Sequence, residues 1–282
     1  MKTFLKVWLG VSLIAIGFGI GIIILAFASG ASWKDIPTYS VNESYNNIEN
    51  IDFNIPYGMV KIIDGETFSI DAENYLEDDI DSYESDGTWY IKSNGKSNFH
   101  IFGMNLSLRQ MMNWDDNNSP KITITIPEGY TFEDFKLNLG AGDLEANTIN
   151  AQTSDLSVGA GRLLVDELNI LEESKYSVGT GEMILDKAST KDITVDCGVG
   201  KFEINGFIDG NGDITCGIGA IHLALDAEKK DYSYDVETDI GDVEIDGTEY
   251  HHYRDNNNDS DNESSNKLSL DCGIGNITVD FN

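Results

Sequence analysis

The segment Leu137-Asn-Leu-Gly-Ala-Gly-Asp-Leu144 recurs along the chain with its two glycines in a fixed register, and this recurrence decides the fold. Further copies occupy residues 156–163, 176–183, 195–202, 214–221, 236–243 and 270–277, with Asp239 replacing the first glycine in one of them. From Gly142 to Gly219, the second glycines follow one another at a nearly constant interval. Such an interval, with a rigid internal register, predicts stacked structural repeats.

The phase of the apolar residues indicates how each repeat bends. Counted from the second glycine, apolar residues fall at minus five, minus three and minus one, and then at plus two and plus four. In several copies position plus seven is also apolar, at Ile149, Leu168, Ala188 and Phe207. Side chains alternate faces along a strand, so each change between odd and even positions requires a bend. Three changes per repeat predict an all-β fold, a parallel β-helix (solenoid) of three-sided coils, each about 19 residues long. An antiparallel β-sandwich is the alternative.

The regular repeats therefore cover residues 136–282, and residues 45–135 are interpreted as atypical coils that cap the core. The wider gap between Gly241 and Gly275 places a surface loop, rich in Asp, Asn and Ser, at residues 250–266. Because residues 270–277 are the last copy in the sequence, we expect them to end the stack, with the acidic loop protecting their open edge.

A membrane anchor is predicted at residues 7–28, an unbroken run without a charged side chain. As a helix it would span about 33 Å, enough for a hydrocarbon core of about 30 Å. Lys2 and Lys6 precede it, so the positive-inside rule places residues 1–6 in the cytoplasm. Residues 29–44 are then a linker and residues 45–282 an extracytoplasmic domain of a single-pass cell-membrane protein. A cleaved signal peptide is the alternative, since Ala26-Phe27-Ala28 resembles a cleavage site.

The charge balance excludes some classes of partner. The chain has 49 Asp plus Glu against 18 Lys plus Arg, a net charge of −31. Nucleic acid and anionic lipid headgroups require a basic protein surface, so neither is an expected partner. An envelope protein or a glycan remains open, and the acidic surface also keeps an exported protein soluble.

No residue pattern indicates a catalytic, cofactor-binding or metal-ligating site. The four histidines, His100, His222, His251 and His252, lack partners at a spacing typical of a triad or a zinc site. The Gly-x-Gly copies are followed by strands, whereas a phosphate-binding loop leads into a helix. We therefore expect a protein that is not an enzyme, has no cofactor and has no catalytic or metal residues.

Two smaller features have alternatives of their own. Residues 255–263 offer oxygen ligands at alternating positions, but Ser260 and Asn266 stand where a calcium-binding EF-hand loop needs Gly and Glu. We expect a solvated loop there, with weak calcium binding as the alternative. Cys197, Cys216 and Cys272 occupy position minus three, where other copies carry Leu or Val, so packing in the core is favoured over a disulfide.

The segment Ile122-Thr-Ile-Thr-Ile-Pro-Glu-Gly129, followed by the Gly-x-Gly series, resembles a bacterial family of uncharacterised proteins labelled "putative adhesin", over about residues 45–282. The resemblance implies a β-helix domain behind an N-terminal membrane segment, with no established activity to carry over. It thus implies a non-catalytic, adhesin-like interaction protein of the cell surface. A scaffold or sensor in cell-envelope stress signalling is the alternative, and a β-helix enzyme acting on polysaccharides is less favoured.

Overall fold

The repeats form strands because apolar side chains alternate with polar ones on either side of each glycine pair. The computed structural model describes residues 38–76, 79–92, 99–101, 104–106, 119–251, 253–254 and 266–282. The strands are β1 (Thr38–Tyr45), β2 (Asn50–Gly65), β3 (Phe68–Leu76), β4 (Asp81–Ser85), β5 (Thr88–Lys92), β6 (Phe99–Ile101), β7 (Met104–Leu106), β8 (Lys121–Pro127), β9 (Thr131–Ile170), β10 (Ser174–Val178), β11 (Glu182–Cys197), β12 (Lys201–Cys216), β13 (Ala220–Leu225), β14 (Tyr232–Thr238), β15 (Asp242–Ile245), β16 (Thr248–Tyr250), β17 (Tyr253–Arg254), β18 (Asn266–Cys272) and β19 (Asn276–Phe281). A 3-10 turn lies at Lys229–Asp231.

Successive repeats pair in parallel, one coil on the next. Tyr176 of β10 lies opposite Leu156 of the preceding repeat on one side and opposite Val195 of the following repeat on the other. Between β11 and β12 the register shifts at two places, after Leu185 and after Lys191, so the strand bends twice between glycine pairs. This parallel stacking confirms the prediction of an all-β, solenoid-like fold and is incompatible with the antiparallel sandwich.

The core of the stack follows the predicted phase on both sides of the glycine pair. Positions minus five, minus three, plus two and plus four are buried in all seven copies. At plus seven the prediction is wrong for Phe207, which is 37% exposed. The first register shift between β11 and β12 removes one residue from this coil, so Gly206 lies opposite Ala188 and Phe207 is displaced to face solvent.

The order of the coils in space differs from their order in the sequence. Leu270 of β18 lies opposite Ile214 on one side and Val236 on the other, so the last copy in the sequence is inserted between two earlier ones. The expectation that residues 270–277 end the stack is therefore wrong. Insertion gives β18 and β19 neighbours on both edges, and leaves β14 and β15 as the outer coil. The outer edge is covered by antiparallel pairing of β16 with β15 and of β17 with β14.

The opposite end of the stack begins with β2, which pairs in parallel with β9. On its other edge β2 pairs with β5 and β8, and these belong to an antiparallel group with β1, β3 and β4. Trp89 is fully buried there, 5.1 Å from Phe53 between ring centroids. Strands β6 and β7 form a separate two-stranded sheet.

The described residues from Thr38 to Asn282 form one compact unit. The anchor predicted at residues 7–28 and most of the linker at residues 29–44 lie outside the described residues. Within the described part of the chain, no helix is both long and apolar enough to cross a membrane.

Candidate interaction surface at the glycine corner

Close contact between coils explains the recurring second glycine. In space these glycines stack in the order Gly58, Gly142, Gly161, Gly181, Gly200, Gly219, Gly275 and Gly241. A Cβ atom on any of the last seven would lie 1.9–2.7 Å from the carbonyl oxygen of the glycine before it in the stack. Real Cβ atoms do not approach backbone so closely, so the coils stack at this corner only because the side chain is missing. We call this line of stacked corners the glycine corner.

The residue between the two glycines, position minus one, is held by the backbone of the coil before it. The amides of Val199, Ile218 and Ile274 donate to the carbonyl oxygens of the first glycines of the preceding coils, over 2.7, 2.7 and 2.8 Å. The amide of Ile240 donates in the same way to Gly273 over 2.9 Å. These bonds fix the corner backbone, so the direction of each side chain is set by the fold.

Those side chains point to solvent, and the prediction that position minus one faces the core is wrong. The strand has already ended at minus three, and the turn at the glycine pair rotates the next side chain outward. Val199, Ile218, Ile274 and Ile240 follow one another in neighbouring coils and are 51%, 53%, 54% and 77% exposed. With strands about 4.8 Å apart, they form an apolar line about 14 Å long. We call these four residues the aliphatic ridge.

The other end of the glycine corner carries small residues at the same position. Thr180, Ala160 and Ala141 take the place of the larger side chains. Ala160 and Ala141 help to line a hollow of about 560 Å³. It is lined by Gly58, Met59, Ser119, Pro120, Ala141, Gly142, Asp143, Ala160 and Gly161. The corner thus changes from a hollow at one end to a raised apolar strip at the other.

One flank of the ridge is lined with acidic residues. Position minus four, three residues before the ridge in the sequence, carries Asp196, Asp271 and Glu237 in three of the four coils, and Asp239 lies next to Ile240. In the described part of the chain, none of these four carboxylates has a basic side chain within 4.0 Å. The ridge is therefore an apolar strip with an acidic border on this side.

On the other flank the charges next to Val199 are paired, whereas Asp242 and Glu244, which follow Ile240, have no Lys or Arg within 4.0 Å among the described residues. The Lys201 Nζ atom lies 3.3 Å from Glu182 and 2.7 Å from Glu203. The hydrogen bond between Lys201 and Glu203 raises the pKa of the lysine and lowers the pKa of the glutamate. Such exposed pairs add little stability, and they neutralise only the part of the flank next to Val199. A partner with apolar side chains and a Lys or Arg beside them fits the acidic border of the ridge.

One group of potential metal ligands lies near the end of the ridge. Among the described residues, Asp242, Glu249 and His251 place one ligand atom each within 4.8 Å of one another, and all three are exposed. The spacing in the sequence did not suggest this group, because the pairing of β15 with β16 brings Asp242 to the other two. The loop considered for calcium, residues 255–263, lies outside the described residues.

The three cysteines lie in the core. Cys216 pairs in register with Cys197 on one side and Cys272 on the other, and all three are buried free thiols. A hydrogen bond with Cys197, together with burial, raises the pKa of the Cys216 thiol. Their positions match those of Leu and Val in other coils, so they pack as core residues.

Comparisons with known proteins agree with the resemblance noted in the sequence. A model of the family described as Toastrack DUF4097 matches residues 48–225. A "putative cell adhesion protein" from Clostridium sporogenes is 15% identical, with 87% of this chain and 100% of that chain covered and a TM-score of 0.45. A "putative adhesin" from Bacteroides fragilis is 14% identical, with 86% and 97% covered and a TM-score of 0.29. Among curated protein sequences, no relative of significant similarity is found.

Proposed function

Because this chain belongs to the Toastrack DUF4097 family, whose description names no activity, we propose its function from the glycine corner. The protein is a non-catalytic interaction protein of the cell surface, and the aliphatic ridge is its contact surface. The partner is an envelope or cell-surface protein that presents apolar side chains bordered by basic ones. An adhesive role and a scaffold or sensor role in the envelope both use such a surface.

The observation that carries this proposal is the difference between equivalent corners of one molecule. The backbone amide of Thr180 donates a hydrogen bond to the preceding coil over 2.7 Å, as the amide of Val199 does. The corner therefore accepts a small polar residue without a change in its backbone. Four large aliphatic residues at neighbouring corners are not required by the fold, and grouped exposed apolar residues are typical of interaction sites.

The size of the ridge is sufficient for a specific contribution to binding. Complete burial of a Val or Ile side chain contributes about 1.5–3 kcal/mol. Three of the ridge residues are already about half buried and Ile240 is 77% exposed, so each has roughly 1 kcal/mol or more left to gain in a complex. Four of them would contribute about 4 kcal/mol, close to three orders of magnitude in affinity.

A triple variant tests the ridge directly. In residues 38–282, Val199→Thr, Ile218→Thr and Ile240→Thr together are expected to weaken binding to isolated cell envelopes by roughly 100-fold. The thermal midpoint should change little, because Thr180 already occupies this position. The matched control is Leu171→Thr, which removes a 58% exposed aliphatic side chain outside the ridge and should leave binding intact.

Unchanged binding by the triple variant would contradict the proposal, as would cleavage of envelope glycans that a carboxylate substitution abolishes. The source of the envelopes separates the two interaction roles. Binding only to envelopes of the protein's own cell supports a scaffold or sensor, whereas binding to other cells or surfaces supports adhesion.

The proposed location is outside the cell, with residues 7–28 as a membrane helix. The support for it is the uncharged run that follows Lys2 and Lys6. A protease added to intact cells should remove residues 38–282 and leave a fragment in the membrane. Recovery of a soluble protein that starts near Ser29 would instead establish a cleaved signal peptide.

A further inference from the structure

We propose that Asp242, Glu249 and His251 form a surface binding site for a divalent transition metal ion, with Zn²⁺ as the best fit. The site lies on the outer coil and does not depend on the function proposed for the ridge. It is built by the hairpin of β15 and β16, which closes the exposed end of the stack.

The hairpin brings the three side chains to one face. Val243 lies opposite Tyr250 and faces the core, so its neighbour Asp242 faces solvent. Glu249 belongs to β16 and His251 follows the end of that strand, and both side chains are exposed. The His251 Nε2 atom lies 3.4 Å from a Glu249 carboxylate oxygen. All three ligand atoms lie within 4.8 Å of one another.

These distances are close to what a metal ion requires. Zinc bonds of about 2.1 Å in a tetrahedral arrangement place ligand atoms about 3.4 Å apart. One pair has this separation already, and the others need only rotations of exposed side chains. Two carboxylates and an imidazole suit Zn²⁺ and similar ions, whereas Ca²⁺ prefers six to eight oxygen ligands. Three protein ligands leave a fourth position for water or for a group from a partner.

The charges around the hairpin provide an independent reason for a cation. Glu244 and Glu249 are directly opposite each other in the antiparallel pair, an arrangement of like charges that destabilises a sheet. Within the described residues, neither has a Lys or Arg within 4.0 Å. The nearby Lys229 instead donates to the Ile245 carbonyl oxygen over 3.2 Å. A bound divalent cation would offset this repulsion.

A second histidine, His222, lies beside one carboxylate and serves as a comparison for the group of three ligands. His222 Nε2 lies 2.9 Å from Asp280, in the neighbouring part of the stack. Glu203, which pairs in register with His222, is bound to Lys201 at 2.7 Å. A histidine with one carboxylate should hold zinc far less well than the group of three, so His222 serves as the control.

Titration calorimetry of the full chain in detergent with ZnCl₂ tests the proposal. The wild type should bind one Zn²⁺ ion at this site. Loss of an outer-shell partner alone weakens metal binding roughly 10- to 100-fold, so His251→Ala and Asp242→Asn should each weaken it by at least that. His222→Ala and His252→Ala should bind like the wild type, and an excess of Ca²⁺ should not displace the zinc.

Several results would overturn the site. They are an absence of zinc binding by the wild type, equal binding by His251→Ala, and loss of binding in His252→Ala instead. Displacement by an equal concentration of Ca²⁺ would show that oxygen ligands elsewhere hold the ion. Circular dichroism of each variant confirms that it is folded, which is expected for His251→Ala and Asp242→Asn because these two side chains are exposed.

Discussion

Gly181→Ala is expected to lower the free energy of unfolding by at least about 3 kcal/mol, the upper end of the usual cost of overpacking. The new Cβ atom would lie 2.3 Å from the Gly161 carbonyl oxygen and 2.9 Å from its amide nitrogen. Both atoms belong to the backbone of the adjacent coil, so no change of rotamer relieves the contact. The measurement is denaturant unfolding of residues 38–282.

Gly129→Ala is the matched control for this substitution. Gly129 has a φ of +70° but nothing within 4 Å of the added Cβ atom, so only the left-handed backbone is penalised. That cost is about 1–2 kcal/mol. If Gly181→Ala were no more destabilising than Gly129→Ala, contact between coils would not be the reason for the glycine stack.

The second large effect is expected for Ile277→Ala, in the coil that is last in the sequence. Ile277 is fully buried and lies opposite both Ile221 and Val243. Because the neighbouring coils on either side hold the cavity open, the substitution should cost about 2–5 kcal/mol. The midpoint of denaturant unfolding should fall while the slope of the transition stays the same.

Ile274→Ala makes the same chemical change three residues earlier. Ile274 belongs to the aliphatic ridge and is 54% exposed, so its loss should change stability by no more than about 0.5 kcal/mol. The two variants separate roles within one coil: Ile277 stabilises the stack, and Ile274 serves contact. A mild effect of Ile277→Ala would contradict the insertion of this coil between two others.

The stacked, parallel character of the fold could be predicted because the pattern of apolar residues within each repeat determines it. Apolar residues at minus five and minus three, and again at plus two and plus four, share one face within each straight segment. The error at position minus one has the same origin. Alternation continued from Val178 or Cys197 predicts a core position for the next odd residue, but at the corner the chain is no longer a straight strand. It therefore predicts burial of Ile218 and Ile240, although both are exposed on the ridge.

The order of the coils could not be predicted, because every copy offers the same pattern and therefore the same pairing surface. Nothing within residues 270–277 indicates that they pair with both β12 and β14. The one local signal is Asp239, which replaces a glycine in the copy that proves to be outermost. A coil with a neighbour on one side only can shift to admit a side chain. The group of Asp242, Glu249 and His251 was missed because a hairpin creates it.

Site-specific photo-crosslinking from the ridge tests the proposed contact surface most directly. A photoreactive amino acid replaces Ile218 in the full chain on intact cells, and Leu171 in the control, since both side chains are more than half exposed. The proposal predicts a discrete crosslinked product from position 218 that the Val199→Thr and Ile240→Thr substitutions reduce, with no such product from position 171. Equal crosslinking from both positions, or none from position 218, would contradict the assignment of the ridge as the contact surface.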